Sequence, residues 1–336
     1  YKRQHREWWH NYYPQSFVSL PDKKMENFYW AQMYKLASAT RTGGGLLDNS
    51  GPWQVLTPWP NAWWNLNVQL SYWSVYPSNR LELGMPLVDA IGNNLDNLIN
   101  NVPEPYRKDA AALPVATDFT LTGATVNVPG TEKKAQVGNL TWICHNLWLQ
   151  YRFSMDESIL RNTLYPTLRR AVNFYLPFLT EDKSGKLHLK RTYSPEYGTA
   201  EDCNYDIALL RWGCNTLLEA SRILSVDDEL IPRWKQVAEY LTDYPQDENG
   251  MMIGKDVPFS RSHRHYSHLL MFYPLYLLNA EQNGSKELME KSVEHWHSLP
   301  GNILGYTYTG ASSLYAAFGE GDKALELSLI HISEPT

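Results

Sequence analysis

Cysteine is scarce in this chain of 336 residues, and its spacing excludes two kinds of site. The three cysteines, Cys144, Cys203 and Cys214, form no C-x-x-C pair. Neither a zinc ribbon nor a dithiol redox motif is therefore predicted. Because the number is odd, at least one thiol lies outside any internal disulfide.

Long hydrophobic runs and excess positive charge are also absent. The longest apolar run, residues 269–278, has ten residues, about half of what a membrane-spanning helix needs. The formal net charge is −6, so the chain has no excess of the positive charge that is typical of nucleic-acid-binding proteins. We therefore expect neither a membrane nor a nucleic acid as partner. The first residue is Tyr1 rather than Met, so the missing signal peptide is no guide to localisation.

Aromatic residues, in contrast, are plentiful. They make up 13% of the chain, with 13 Trp and 22 Tyr. Such rings fill the interfaces between helices, and they also stack on the apolar C–H faces of sugars. Composition alone leaves both uses open.

The hydrophobic pattern is helical almost throughout. Apolar residues recur at spacings of three and four in residues 159–179 and 208–224, which predicts amphipathic helices. Further helices are predicted at 3–13, 25–40, 63–76, 82–101, 103–112, 138–153, 225–241, 265–279, 284–298 and 309–318. Only residues 123–130 and 185–193 resemble strands. About twelve paired helices with no fixed-period repeat predict an all-α fold, the (α/α)6 barrel or toroid of paired helices, over residues 1–326.

The last ten residues, 327–336, resemble a translated sequencing adapter. We expect the natural sequence to stop near Glu326, the barrel to be cut at both ends, and the tail to make few contacts with it. An ordinary frayed terminus is the alternative.

Two asparagines, Asn65 and Asn67, are set among rings in residues 63–73, "WWNLNVQLSYW". On a helix, side chains at i and i+2 point apart, whereas on an extended segment they face the same way. Pro60 disfavours helix just before it. We therefore predict an irregular stretch entering a helix, with both amides facing one water or one sugar hydroxyl. In the alternative, Asn65 caps the helix and Asn67 is solvated.

Glu196 follows Pro195 in a turn-like segment between Tyr193 and Tyr197. A carboxyl group packed between rings loses solvation, and its pKa rises, which suits a general acid. The alternative is an exposed turn glutamate.

Three histidines, His263, His265 and His268, lie close together. They suggest zinc, but there is no H-E-x-x-H motif, and Arg264 would repel a cation. Hydrogen bonding to a polar ligand is favoured, with His265 and His268 on one face of the predicted helix.

Four segments, taken in order, resemble the catalytic domain of glycoside hydrolase family 95, the inverting α-L-fucosidases, which also include α-L-galactosidases. The resemblance runs from about residue 8 to 326. In residues 142–166, Asn146 takes the place of a family histidine. The matching positions are Asn65, Asn67, Gln69, Tyr72 and Trp73 for N-x-N-x-Q-x-x-Y-W, then residues 142–166, then Ser194, Pro195 and Glu196, and finally His263, Arg264, His265, Ser267, His268 and Leu269.

The resemblance implies roles for these residues. Glu196 would be the general acid, and Asn65 and Asn67 would hold the attacking water. His263 and His265 would contact the sugar. We expect Glu196, Asn65 and residues 260–270 to line one cavity. No metal and no organic cofactor are implied. The remaining candidate sugar contacts are Trp64, Tyr193 and Gln69.

The family's late aspartate, which acts with the asparagines as base, has no counterpart here. Gly305, Tyr306 and Thr307 stand where the family has Gly-Trp-Ser, and no aspartate precedes them. An inverting enzyme needs a base opposite the acid. Asp48, Asp202 and Asp206 are the candidates, and they stay unranked.

The resemblance therefore implies an exo-acting, inverting glycoside hydrolase that releases a terminal α-linked L-sugar, of the L-fucose or L-galactose type, from an oligosaccharide or polysaccharide. The alternatives are a catalytically silent glycan-binding barrel and a hydrolase for a different sugar. The family also implies a periplasmic or secreted location and β-rich domains on both sides of the barrel.

Overall fold

The computed structural model describes residues 2–47, 49, 51, 57 and 59–333. Helices dominate these ranges. The α-helical segments are α1 Lys2–Tyr12, α2 Lys23–Ala39, α3 Asn67–Trp73, α4 Met85–Asn93, α5 Leu95–Asn100, α6 Asn139–Ser154, α7 Glu157–Ile159, α8 Tyr165–Asn173, α9 Asn204–Leu224, α10 Ile231–Tyr240, α11 Ser285–Ser298, α12 Gly305–Ala317 and α13 Gly321–Ser333.

The strands of the described ranges are short and form antiparallel pairs of two. They act as local ribbons between helices rather than as a sheet of their own. The pairs are β1 Ala62–Trp63 with β2 Ala116–Thr117, β3 Leu179–Glu181 with β4 Leu187–Leu189, β5 Thr192–Ser194 with β6 Gly198–Ala200, and β7 Gln246–Asp247 with β8 Gly250–Met251.

The architecture is the expected (α/α)6 barrel. Helices α6 and α9 are buried over most of their length, and α8 packs against both. Gly213 in α9 permits the close approach of α8, since a Cβ there would lie 2.6 Å from Val172 Cγ2. In the described part of the chain, no helix is both long and apolar enough to cross a bilayer.

Several local predictions are wrong. Residues 265–279 contain only the 3-10 turn Ser267–Leu269, because Pro274 lacks the N–H that a helix needs and its ring blocks the preceding turn. Residues 123–130 form no strand; Gly123 makes an isolated bridge with Thr117, and Val126 and Gly130 donate single backbone hydrogen bonds to Asn101 O and Arg191 O. Residues 103–112 shrink to the turn Glu104–Tyr106.

The C-terminal helix continues into the suspected tail. Helix α13 runs to Ser333, Leu327 packs against the core, and the Ser328 hydroxyl lies 2.8 Å from that of Ser312 on α12. Leu327 and Ser328 therefore contact the rest of the protein, and the expectation of few contacts for the tail stays a prediction. The foreign origin of residues 327–336 stays a prediction, and residues 334–336 lie outside the described ranges.

Candidate active site

A cavity of about 670 Å³ lies where several distant segments of the chain meet. The turn into α3, the β5–β6 hairpin and the loop before Ser267 each contribute to its wall. Glu196, Asn65 and the 260–270 segment therefore share one cavity, as predicted. The lining residues are Asn49, Thr57, Trp59, Trp63, Asn65, Leu66, Asn67, Leu70, Ser71, Glu196, Arg264, His265 and Tyr306.

The asparagine wall forms where an extended segment becomes a helix. Side chains alternate along β1 and just beyond it, so Trp63 and Asn65 line the cavity while Trp64 points into the core. Asn67 is the first residue of α3, and Leu66 occupies the cap position. Both amides thus line the cavity, and Asn65 does not cap the helix.

A buried brace holds this turn from behind. Trp64 donates from its backbone to Val115 O and from its indole to Thr117 Oγ1, each at 2.8 Å. Gln69 Nε2 donates to Trp64 O at 2.6 Å, and Asn146 Nδ2 donates to Gln69 O at 2.9 Å. Trp64 and Gln69 are both fully buried. Both side chains stabilise the turn from the core. Neither reaches the cavity, where sugar contacts were predicted for them.

Glu196 stands on the turn between β5 and β6. The amide of Tyr197 donates to Ser194 O at 3.0 Å and closes this turn, with Pro195 and Glu196 as its central residues. Glu196 has a φ of 58°, a left-handed conformation that costs a residue with a side chain about 1–2 kcal/mol. Such strain persists only where the surroundings impose it, and it is often found at functional sites.

Polar groups, rather than rings, surround the Glu196 carboxylate. Asn65 Nδ2 donates to Oε1 at 3.4 Å, the Arg264 guanidinium pairs with Oε2, and His265 Nε2 lies 3.6 Å from Oε2. The side chain is 39% exposed. The predicted packing between Tyr193 and Tyr197 is therefore wrong.

The two tyrosines face other partners. The ring of Tyr197 stacks on Phe259, while that of Tyr193 lies 5.0 Å from the Lys134 ammonium nitrogen. Neither residue lines the cavity, so Tyr193 is not brought to the place where a sugar contact was predicted.

Only one of the three histidines lines the cavity. His265 faces Glu196, whereas His263 Nε2 lies 3.3 Å from Pro195 O and supports the turn. His268 stacks on Phe259 at 4.4 Å, outside the cavity wall. Burial lowers the pKa of His265 and His268 to about 3 and that of His263 to about 4, so all three are neutral at pH 7. No group of metal-ligating side chains is assembled among the described residues.

Two of the three aspartates proposed as base lie elsewhere. Asp202 is buried, and its carboxylate accepts from Leu189 N at 2.7 Å and contacts His188 Nδ1 at 2.7 Å. Asp206 accepts from the Tyr175 hydroxyl at 2.8 Å, and burial raises its pKa to about 7.

Neither Asp202 nor Asp206 lines the cavity. Within the described part of the wall, Glu196 is the only carboxylate. Asp48 lies outside the described residues, next in sequence to Asn49, which lines the cavity.

The stretch that lacks the family aspartate still builds the wall. Tyr306 lies edge-on to the His265 ring at 5.6 Å. Thr307 Oγ1 donates to Arg264 O at 3.2 Å. The start of α12 therefore positions the two cavity residues that face Glu196.

Sequence reasoning missed Arg264, Trp59 and Trp63. Arg264 lies inside the matched histidine motif, where its positive charge argues against a metal site but does not reveal its pairing with Glu196. Trp63 could have been found, because the alternation that aligns Asn65 with Asn67 also aligns Trp63 with Asn65. Trp59 is 57% exposed, and no local pattern marks it.

The fold has a close counterpart among solved structures. The chain matches one called "Putative kojibiose phosphorylase from human microbiome" with a TM-score of 0.61 and 12% sequence identity, over 90% of this chain and 46% of that one. The protein is thus a helical barrel that carries an acidic group in a cavity lined by both polar and aromatic side chains. The family model of the glycosyl hydrolase family 95 catalytic domain matches residues 7–334, and the chain belongs to this family of glycoside hydrolases.

Two curated relatives match at low identity. "Alpha-L-fucosidase 2" of Arabidopsis thaliana is 25% identical over 88% of this chain. "Probable alpha-fucosidase A" of Aspergillus niger is 22% identical over 94% of this chain. The match spans only 36% and 42% of their respective lengths.

Proposed function

We propose that this barrel is the catalytic part of an exo-acting, inverting glycoside hydrolase that releases a terminal α-linked L-sugar, of the L-fucose or L-galactose type, from an oligosaccharide or polysaccharide outside the cytoplasm. The observation that carries the proposal is the direct contact of Glu196 with Asn65 in a cavity that Asn67 also lines. The names of the two curated relatives support the choice of sugar.

Glu196 is the proton donor in this proposal. Its carboxyl group reaches into the cavity and is partly exposed, so it can approach a glycosidic oxygen. A positioned acid of this kind contributes about 10²–10⁴-fold to the rate. The tryptophans Trp59 and Trp63 offer ring faces against which a sugar could stack.

The attacking water belongs to the asparagine wall. An inverting enzyme keeps its acid and base about 6.5–9.5 Å apart, with the sugar and the water between them. Asn65 Nδ2 is only 3.4 Å from Glu196 Oε1, so a bound sugar has to separate these side chains. Among the described residues, Asn67 has no side-chain hydrogen bond to Glu196, and we assign the water to it first.

Of the three candidate bases, Asp48 remains, because Asn49, the next residue in the sequence, lines the cavity. Asp202 and Asp206 are engaged in buried contacts elsewhere. Replacing Asp48 by Asn should therefore abolish release of the sugar while leaving binding intact. A variant Asp48→Asn with full activity would remove Asp48 from this role.

A glycan-binding barrel without catalysis is the second candidate. It is favoured by the absence of a second carboxylate from the described part of the cavity wall. The distinguishing experiment incubates the protein with glycans ending in α-L-fucose, α-L-galactose or other sugars. Released sugar is followed by proton NMR, and binding is followed by calorimetry.

The anomeric form of the sugar that is released first tests the inverting mechanism. An inverting enzyme acting on an α-linked sugar releases the β-anomer first. Immediate appearance of the α-anomer would contradict inversion. Binding with no release, in a protein of intact fold, would favour the silent barrel.

A further inference from the structure

Tyr197, the residue after the proposed acid, connects the Glu196 turn to a neighbouring loop. Its hydroxyl accepts hydrogen bonds from the backbone of Ser260 at 2.8 Å and of Arg261 at 3.1 Å. Its ring stacks on Phe259 with centroids 5.1 Å apart. Three consecutive residues of the loop thus contact one buried side chain.

Arg261 contacts the same residue from the solvent side. Its guanidinium donates to Tyr197 O and lies 4.5 Å from the centre of the Tyr197 ring. Both the side chain and the backbone carbonyl of Tyr197 are therefore held by this loop.

The other side of the turn has separate supports. The hydroxyl groups of Ser194 and Ser267 lie 2.8 Å apart, and His263 contacts Pro195 O. Glu196 itself, between these supports, has the left-handed backbone conformation. Since side-chain-bearing residues rarely adopt this conformation, contacts from outside the turn have to maintain it.

We propose that Tyr197, together with Arg261, is a positioning residue that keeps Glu196 in its left-handed conformation and its carboxyl group aimed into the cavity. This inference rests on the proposed role of Glu196 as general acid. Tyr197 lies outside the cavity wall and acts only through Glu196.

The chemistry of the leaving group provides a specific readout. A misplaced acid impairs protonation of the departing oxygen, whereas attack by water is unaffected. A natural glycan needs that protonation, but an aryl glycoside with an acidic phenol does not. A purely structural defect would instead lower activity on both substrates alike.

The first variant is Tyr197→Phe, which keeps the ring stack and removes the acceptor of two backbone N–H groups. We expect kcat on the natural glycan to fall about 10–100-fold and kcat on the aryl glycoside to fall less than about 3-fold, with KM unchanged for both. Tyr12→Phe is the matched control, because it removes a buried hydroxyl that donates to Met33 O at 2.9 Å, far from the turn in sequence. Its kinetics should equal those of the parent protein.

Arg261→Met decides the question independently of whether Tyr197→Phe folds, because Arg261 is exposed. It should show the same substrate-dependent loss, and Arg261→Lys should recover part of it by keeping a donor. A crystal structure of Arg261→Met should also show Glu196 leaving the left-handed region. Equal losses on both substrates, no loss, or an unchanged Glu196 conformation in that structure would overturn the inference.

Glu196→Gln separates this inference from the proposed function. If Glu196→Gln spares the aryl glycoside but the Tyr197 and Arg261 variants do not, Glu196 is the acid and the positioning role is wrong. If Glu196→Gln itself affects both substrates equally, the proposed acid role is wrong, and the positioning role with it.

Discussion

On one side of the cavity, Asn65 and Asn67 stand where β1 turns into α3; on the other, Glu196 stands between β5 and β6. The first side presents neutral amides and is braced from behind by the buried side chains of Trp64 and Gln69. The second presents a carboxylate in a strained backbone conformation, and its supports come from a loop about 65 residues further along the chain.

The difference lies in how each side keeps its geometry. Neither asparagine has a positive φ, and the hydrogen bonds of the buried Trp64 and Gln69 hold their turn. The glutamate turn works against its own backbone preference and depends on distant contacts. The charged groups are also concentrated on the second side, where the Arg264 guanidinium pairs with the Glu196 carboxylate.

The largest effect is expected for Glu196→Gln. This variant keeps the shape of the side chain and loses the transferable proton. Activity on a natural glycan should fall by about 10²–10⁴-fold, and activity on an aryl glycoside with an acidic phenol should fall much less. Steady-state kinetics on the two substrates measures this. Equal losses would take the acid role away from Glu196.

The opposite wall should behave differently. Asn65→Ala and Asn67→Ala should each lower activity on both substrates to a similar extent, on the order of 10²-fold, because attack by a positioned water is needed in each case. Asn127→Ala is the control and should be unaffected, because Asn127 is a half-buried asparagine outside the cavity wall that donates to Lys134 O. Full activity in both cavity variants would return the asparagines to a structural role.

Asp206, on the helix that packs against β5, should make stability depend on pH. Burial raises its folded-state pKa to about 7, from a reference value of 3.8. Its contribution to stability is therefore complete below pH 3.8 and is lost as the pH rises through 7. Asp206→Asn removes this loss, so the variant should gain up to a few kcal/mol of stability relative to the parent as the pH rises from about 4 to 7, and the difference should stay constant above that.

Urea denaturation at several pH values checks this prediction. Asp228→Asn provides a control of opposite sign: although burial acts to raise the pKa of Asp228, its hydrogen bond and ion pair with Arg169 hold that pKa below the ordinary value. This variant should be less stable than the parent by a constant amount above about pH 4, and the difference should shrink as the pH falls below 4. If the difference in unfolding free energy between Asp206→Asn and the parent stayed constant from about pH 4 to 7, Asp206 would not titrate in this range.

The smallest effect is expected behind the asparagine wall. Gln69→Met removes the hydrogen bond to Trp64 O and should cost about 1 kcal/mol of unfolding free energy, with a modest and equal loss of activity on both substrates. Gln150→Met is the matched control, since Gln150 donates to Leu81 O at 2.9 Å and lies outside the cavity wall. It should lose similar stability and keep its activity. If Gln69→Met lost activity only on the natural glycan, the support behind the asparagines would also affect protonation by Glu196.

Local patterns in the sequence were sufficient for the helical architecture and for the facing of two residues. Spacings of three and four in residues 159–179 and 208–224 predict helices there, and the structure has α8 and α9 in these ranges. Pro60 predicts an irregular entry into α3, and Asn65 and Asn67 both line the cavity, with residues 64–66 forming a turn between β1 and the helix. The match of four motifs in order predicted the family, which the family model confirms.

Tertiary contacts decided the remaining features of the site. Asn65 and Glu196 are 131 residues apart in sequence, so no local pattern reveals that they touch. Trp64, Gln69 and His263 lie beside cavity residues in the sequence, yet packing turns their side chains inward to support the walls. Arg264 pairs with Glu196 because a loop without helical structure brings it there. Periodicity and turn chemistry are properties of neighbouring residues, whereas the two walls of this cavity come from segments that only the tertiary fold brings together.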